Sequence, residues 1–373
     1  MSKKIQPNDT LDRDQNLLLQ VLKKPQFMAG LDTQGWNEVL FDAHILKLRA
    51  RLTHDAETLG LWPELPDKVQ QILTNAKIDT ASRQRKIMWE MNRVGRALYD
   101  FKEKIILVKG AAYIARDLKC ADGRDSIDLD ILVAKKHLDI IENHLFLAGY
   151  GSQILDDYDQ QYYREWAHEL PPLVHPSRLV EVDVHHTILQ VTNKLSPNID
   201  LMINSSEALG DQFHTLCDED MLLHSIVHQF VDGTLKSSLR NLLEQHDMMG
   251  EFGEKPAFWT DFMDRAETLK LGRPVFYCLR YCVYFLNTPI PENVMARAKE
   301  NAPGWIVLKL MDLMILRTMV PFGVSDGVKR SKWTDFLSTN GLYIRSHWLR
   351  MPPMMLFTHL SRKFFRRIFV RQS

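Results

Sequence analysis

Three stretches decide the fold of this chain: IILVKGAAYIARDL (105–118), IDLDILV (127–133) and LVEVDVHHTIL (179–189). The first begins as a short apolar run rich in β-branched residues, which predicts a buried strand that ends at Lys109-Gly110 and leads into a helix. The other two alternate polar and apolar side chains, as strands with one buried face do. A strand, a helix and further strands in close succession predict a small α/β unit.

Four carboxylates share the polar faces of the two alternating stretches. Asp128 and Asp130 fall on one face of the second stretch, and Asp183 shares a face with Glu181 and His185 in the third. Aspartate is disfavoured in strands, so two aspartates between isoleucine and leucine are more simply explained as ligands than as solvated residues. Carboxylates arranged in this way hold Mg²⁺ for phosphoryl transfer to a hydroxyl. We predict a Mg²⁺ (or Mn²⁺) site on these aspartates, with either Asp183 or Glu181 as the third ligand.

The turn from the first strand into the helix is a second candidate feature. A strand that ends in glycine and leads directly into a helix places backbone N–H groups at the helix N-terminus, where phosphate binds readily. Lys109, Gly110 and Ala111 are therefore candidate nucleotide-binding residues. Arg124 is a further candidate, either for phosphate or as a partner of the strand aspartates. An ordinary strand-ending turn and a solvated loop arginine are the alternatives.

In this order the motifs resemble the uncharacterised nucleotidyltransferase family within the polymerase β-like superfamily. That family runs as an apolar strand into Lys-Gly-Ala-Ala, then an arginine a few residues before Asp-x-Asp-Leu-Leu-Val, then an acidic residue two before a histidine. The matching positions here are Lys109, Gly110, Arg124, Asp128, Asp130, Asp183 and His185. The resemblance spans about residues 60–370, and it favours Asp183 over Glu181 as the third carboxylate.

The resemblance implies transfer of a nucleoside monophosphate from an NTP to a hydroxyl acceptor, with release of pyrophosphate. It implies that Asp183 helps to deprotonate the acceptor hydroxyl. His185 orients the substrate or the metal site unless it is a structural histidine. The usual Gly-Ser or Gly-Gly of the superfamily is Gly110-Ala111 here, so a serine hydroxyl that would contact phosphate is missing. We expect the Lys109 ammonium to contact phosphate instead. The acceptor is left open among a small molecule, RNA and a protein. The alternative function is a catalytically silent nucleotide-binding regulatory or scaffold protein on the same fold.

Both flanks of this core have a helical pattern. Apolar residues recur at three- and four-residue spacing before residue 104 and again after about 205, whereas 158–170 has the composition of a further strand. We predict an α+β protein in which a small mixed-sheet nucleotidyltransferase core is flanked by N-terminal and C-terminal helical regions. The predicted units are a disordered tail at 1–12, a helical region at 13–100, the core at 101–195 and a C-terminal helical region at 196–373.

Two histidines lie one helical turn apart in the C-terminal region, in MLLHSIVHQF. His224 and His228 have the spacing of zinc ligands, but no third ligand is evident and the glutamate of a metalloprotease helix is missing. We favour a helix face packed toward the core over a zinc site.

Composition gives this chain no global electrostatic preference. The 373 residues are 45% hydrophobic and contain 47 basic and 47 acidic residues, so any attraction to nucleic acid or membrane must be local. Sparse cysteines without zinc-ribbon spacing, a polar N-terminus and interrupted apolar runs predict a cytoplasmic protein without disulfides. Residues 336–373 contain no Asp or Glu and seven Lys or Arg. We weigh membrane or nucleic-acid contact through this basic C-terminal end against a terminal helix that covers its own domain.

Overall fold

The computed structural model describes residues 16–152, 162–178, 180–233, 235–320 and 332–350. Its α-helices are α1 (Leu17–Lys23), α2 (Thr33–Ile45), α3 (Arg49–Thr58), α4 (Asp67–Ala97), α5 (Lys109–Ala115), α6 (Leu138–Leu147), α7 (Ile199–Asn204), α8 (Asp218–Val227), α9 (Leu239–Phe252), α10 (Phe258–Thr268), α11 (Gly272–Leu286), α12 (Glu292–Lys299), α13 (Trp305–Thr318) and α14 (Lys332–Arg350). Its strands are β1 (Ile105–Leu107), β2 (Asp128–Leu132), β3 (Gly151–Ser152), β4 (Leu173–Val174), β5 (Glu181–His185), β6 (Glu207–Leu209) and β7 (Phe213–Thr215). The predicted disordered tail at 1–12 and the basic end at 351–373 lie outside the described residues.

The described strands form one mixed sheet in the order β3-β4-β5-β2-β1-β7-β6. In its centre, β2 runs antiparallel to β1 and parallel to β5, and β1 runs parallel to β7. The register between β2 and β5 places Asp128 opposite Glu181 and Asp130 opposite Asp183. Because side chains alternate along a strand, these four carboxylates leave the sheet on the same face. The sheet thus carries its acidic residues at its centre.

The longest helix, α4, buries one face against the sheet and its helices. Its buried side chains are spaced by three, four or seven residues, as on one face of a helix. They are Val69, Leu73, Thr80, Ile87, Glu90 and Val94. It packs against α5, α6 and β2. The buried Glu90 accepts hydrogen bonds from Tyr150 Oη and, at 2.8 Å, from Arg178 Nε. These bonds connect α4 to the far edge of the sheet.

The helices before and after the sheet also contact each other directly. Arg51 on α3 donates to both carboxylate oxygens of Asp247 on α9, at 2.5 and 3.1 Å. Both side chains are buried. The helical flanks therefore pack together beside the sheet. No described helix is both long and apolar enough to span a bilayer.

The predicted fold class is confirmed: the protein is α+β, with a mixed sheet and helical flanks. All four cysteines are free. The strand predicted at 158–170 is wrong over Tyr162–Trp166, which forms a π-helical turn. Aromatic composition favours strands, but tertiary packing overrides it here. Within 162–170, the described part of this stretch, Glu169 forms an isolated antiparallel bridge with His185.

The prediction of helices alone after about residue 205 is also wrong, because β6 and β7 extend the sheet along β1. Each of these strands has three residues, and Gly210 at φ +66° lies in the turn that joins them. Strands this short show no alternation that a sequence pattern could reveal. The predicted end of the core at residue 195 falls within the span of the sheet, and the division into three units stays a prediction.

Candidate active site

Three aspartates meet on the face of the sheet described above. Asp128 and Asp130 leave β2, and Asp183 leaves the neighbouring β5 opposite Asp130. One ligand oxygen from each lies within 4.8 Å of those of the other two. Asp130 is buried, whereas Asp128 and Asp183 are half-buried, so solvent reaches the group. Glu181 is exposed and lies outside this group.

Asp130 accepts two charge-assisted hydrogen bonds. Lys109 Nζ donates to Asp130 Oδ1 at 2.6 Å, and His185 Nε2 lies 2.8 Å from the same oxygen. Burial alone would raise the pKa of Asp130, but Lys109 and His185 hold that pKa far below its usual range. Burial likewise opposes the charge of Lys109, but the neighbouring Asp130 carboxylate outweighs it and raises the pKa of the ammonium. Asp130 is therefore held ionised, with both bonds on one oxygen.

Asp183 has a different electrostatic environment. Burial raises its pKa, and the charges of Asp130 and Glu169 raise it further, to about 8. Its Oδ1 is buried without a hydrogen-bond partner. A divalent cation among the aspartates would offset their repulsion and provide that oxygen with a partner. A donor set made only of carboxylate oxygens suits Mg²⁺ or Mn²⁺, so the residues present fit the predicted ion.

Lys109 reaches Asp130 through an unusual backbone conformation. The preceding Val108 N–H donates to the carbonyl of Asp130 at 3.2 Å, which continues the pairing of β1 with β2. Lys109 then adopts φ +50°, in the left-handed region that costs a residue with a β-carbon about 1–2 kcal/mol. Active sites and ligand-binding turns are among the places where residues with such backbone strain cluster. Of the nucleotide-binding candidates Lys109, Gly110 and Ala111, the structure brings the Lys109 side chain to the carboxylates, while the other two are buried.

Gly110 is explained by the close approach of Arg124. A β-carbon at position 110 would lie 2.1 Å from Arg124 Nη1 and 2.6 Å from Ser126 Oγ. The Arg124 guanidinium donates to Ser126 Oγ at 2.5 Å and to Glu244 Oε1 at 3.1 Å, and it lies over the ring of Tyr113. Arg124 thus connects the loop before β2 to α5 and α9. It is not a solvated loop charge, and its partner is Glu244 rather than a strand aspartate.

Sequence reasoning missed two residues beside this group, His168 and Glu169. Glu169 Oε2 lies 3.4 Å from His185 Nδ1, and the His168 ring stacks on His185 with centroids 5.1 Å apart. Backbone hydrogen bonds from Leu170 N to Val184 O and from His186 N to His168 O hold this segment against the end of β5. The only sequence signal was their place in the stretch with strand composition.

His168, Glu169 and His185 also have ligand atoms within 4.8 Å of one another. The two imidazole planes are only 27° apart in a stacked arrangement. A metal ion lies in the plane of the imidazole ring that binds it. Because the planes of His168 and His185 are stacked and nearly parallel, one ion cannot lie in both planes and bind a nitrogen of each ring. We therefore interpret Glu169 as a residue that orients His185, which in turn orients Asp130.

The two helical histidines lie on opposite sides of a change in helix type. His224 is buried on α8, and burial, with the charges of Lys109 and His185, lowers its pKa to about 3. His228 begins a π-helical turn, His228–Asp232, and lies 4.0 Å from Asp232. Within the described ranges neither belongs to a group of three ligating side chains. The buried position of His224 supports the prediction of a helix face packed toward the core.

A mixed sheet with Asp-x-Asp on one strand and a third aspartate on its parallel neighbour is the arrangement expected of a nucleotidyltransferase core. A family model described as uncharacterised nucleotidyltransferase matches residues 32–287, and the chain belongs to that family. The match contains all of the site motifs, although it begins and ends earlier than the span of about 60–370 expected from the sequence. No curated protein and no solved structure matches the chain significantly.

Proposed function

We propose that this protein transfers a nucleoside monophosphate from an NTP to a hydroxyl acceptor and releases pyrophosphate. The observation that carries this proposal is the meeting of Asp128, Asp130 and Asp183 within 4.8 Å, in a chain of a nucleotidyltransferase family. Mg²⁺ or Mn²⁺, when bound by these aspartates, would neutralise charge on the triphosphate and lower the pKa of the acceptor hydroxyl.

The residues around the aspartates have separate roles in this proposal. Lys109 pairs with Asp130 in the absence of nucleotide and moves its ammonium to a triphosphate oxygen when the NTP binds. Gly110 and Ala111 contribute backbone N–H groups to the same phosphates. His185 keeps the Asp130 carboxylate in one orientation through its 2.8 Å contact. Arg124 positions the loop before β2 rather than contacting phosphate, because its guanidinium is buried against Glu244.

The reaction then needs one bond made and one broken at the α-phosphorus. The acceptor oxygen attacks in line, and the bond from the α-phosphorus to the oxygen that bridges to the β-phosphate breaks as pyrophosphate leaves. Asp183 in its ionised form takes the proton of the acceptor hydroxyl. The proposal leaves the acceptor open among a small molecule, an RNA end and a protein side chain, because all three carry hydroxyls.

Purified protein incubated with α-labelled NTPs, Mg²⁺ or Mn²⁺ and cell extract tests this function. We expect wild type to transfer label to an acceptor, and Asp130→Asn and Asp183→Asn each to reduce transfer by at least about a thousandfold, because each removes a metal ligand. Glu181→Gln is the matched control, since Glu181 lies two residues from Asp183 on the same strand face but is exposed. Equal loss in Glu181→Gln and Asp183→Asn would contradict the assignment of the third ligand.

A nucleotide-binding protein without transfer activity is the second candidate. Ala111 favours it, because alanine offers no hydroxyl to phosphate at a position where the wider superfamily can have serine. Binding of NTP by calorimetry, without label transfer or pyrophosphate release in any extract, would support this function and refute the enzyme. The absence of both binding and transfer would refute both functions.

A further inference from the structure

We propose that the hairpin of α13 and α14 docks on the surface of an anionic phospholipid membrane. This inference is independent of the proposed transferase activity. It rests on an exposed apolar surface that we call the hairpin face, formed by Ile306, Leu310, Leu313, Trp333, Leu337, Ile344 and Trp348.

Helical periodicity places the members of the hairpin face in two stripes. On α14, Trp333, Leu337, Ile344 and Trp348 fall within about 60° of one another at 100° per residue. Each of these four side chains is at least 50% exposed. On α13, the members recur at four- and three-residue spacing and are 41–56% exposed. A helix that faced only water would have polar residues at these positions.

The contacts between the two helices join these stripes into one surface. Arg317 near the end of α13 donates to Thr334 near the start of α14 at 2.9 Å, and Met314 lies against Gly341, so the helices are antiparallel. Buried Met311 on α13 and Leu342 on α14 lie on the inner side of this contact line. Both exposed stripes lie on its other side, and the hairpin presents them together.

The charges around the hairpin face select an anionic lipid surface over other occupants. Lys309 Nζ lies 5.5 Å from the ring of Trp305, and Lys194 Nζ lies 4.0 Å from the ring of Trp348. Indole rings beside ammonium groups match the level of lipid headgroups, where tryptophan is enriched and lysine reaches phosphate. Lysine is depleted in protein–protein interfaces.

The sequence that follows α14 adds further positive charge to that of Lys194 and Lys309. Residues 351–373 contain five Lys or Arg and no Asp or Glu. Basic residues that follow an apolar helix in the chain add to its attraction to anionic lipid. An RNA backbone would match the charge but would leave the leucine and isoleucine side chains without an apolar partner.

Vesicle flotation of the full chain tests the proposal. Vesicles of phosphatidylcholine alone and of phosphatidylcholine with phosphatidylglycerol are compared at low and high salt. The test variant is Trp333→Ser/Leu337→Ser/Ile344→Ser, whose positions are all exposed, so the fold tolerates the changes. The control is Trp89→Ser/Leu147→Ser/Ile78→Ser, which replaces the same residue types at exposed positions of α4 and α6. Circular dichroism checks that both variants are folded.

We expect wild type and the control variant to bind the anionic vesicles, with less binding at high salt and little to neutral vesicles. The test variant should bind at least about tenfold more weakly, because three apolar side chains no longer enter the lipid. Undiminished binding of the test variant would overturn the role of the hairpin face. Absence of vesicle binding by wild type, or a wild-type dimer that the test variant converts to a monomer, would overturn the lipid assignment.

Discussion

Lys109 combines a left-handed backbone with an ammonium that pairs with buried Asp130, and two substitutions separate these properties. Lys109→Gly and Lys109→Ala both remove the ammonium, but only glycine adopts φ +50° without steric cost. We expect both variants to lose transferase activity and the alanine variant to be less stable than the glycine variant by about 1 kcal/mol. Urea unfolding measures the difference. Equal stabilities would show that the backbone conformation at this position carries no strain.

The residues of the site could be predicted where a pattern within one short stretch of sequence identifies them. Asp128, Asp130 and Asp183 stand out because alternation along a strand fixes which side chains share a face. The pairing of β2 with β5, which brings the third aspartate to the other two, was only implied by the family resemblance. His168 and Glu169 could not be predicted, because their position depends on a segment without regular strand structure that happens to lie beside β5.

At the scale of elements, the junction of α5, the loop before β2 and α9 depends on Gly110. Gly110→Ala places a β-carbon 2.1 Å from Arg124 Nη1, so the buried guanidinium has to give up Ser126 or Glu244. We expect this change to destabilise the protein by about 2–3 kcal/mol. In an Arg124→Ala background the cost should be much smaller. Urea unfolding of the four proteins in this cycle measures the coupling.

Arg124→Ala is a usable background because Glu244 keeps a second partner, Arg240, at 3.4 Å. The buried glutamate is therefore not left without a cation when Arg124 is removed. If the two substitutions add within about 0.5 kcal/mol, the residues do not interact. The close approach of Arg124 would then not explain the glycine of the Lys-Gly motif.

Among the elements, length decides what the sequence reveals. A 31-residue amphipathic helix such as α4 repeats its apolar pattern many times, and the strands that carry the aspartates alternate clearly. The three-residue strands β6 and β7 are too short to repeat an alternating pattern of polar and apolar residues. Their place in the sheet comes from the pairing of β7 with β1 and of β6 with β7. The partner of Arg124 was hidden for a similar reason, since Glu244 lies 120 residues further along the chain.

For the whole molecule, buried histidines connect stability to pH. Burial lowers the pKa of His224 to about 3 and that of His186 to about 4, from a usual value of 6.5. In the unfolded chain these histidines take up protons as the pH falls below 6.5, while in the folded protein they do not. Their contribution to the free energy of unfolding is therefore complete above pH 6.5 and is lost as the pH falls toward their folded values. Asp183 and Glu169, with raised pKa values, contribute with the opposite sign.

Because these contributions oppose each other, the wild-type pH profile alone does not isolate the histidines, but the difference between wild type and a variant does. We expect His224→Asn to lower stability at neutral pH and to make the loss between pH 6.5 and about 4.5 shallower, by up to about 1.4 kcal/mol per pH unit. Urea unfolding at several pH values measures both slopes, with His44→Asn, at an exposed histidine of α2, as the matched control. Parallel profiles for wild type and His224→Asn would mean that His224 takes up its proton as readily in the folded protein as in the unfolded chain. That result would contradict the burial of the His224 side chain.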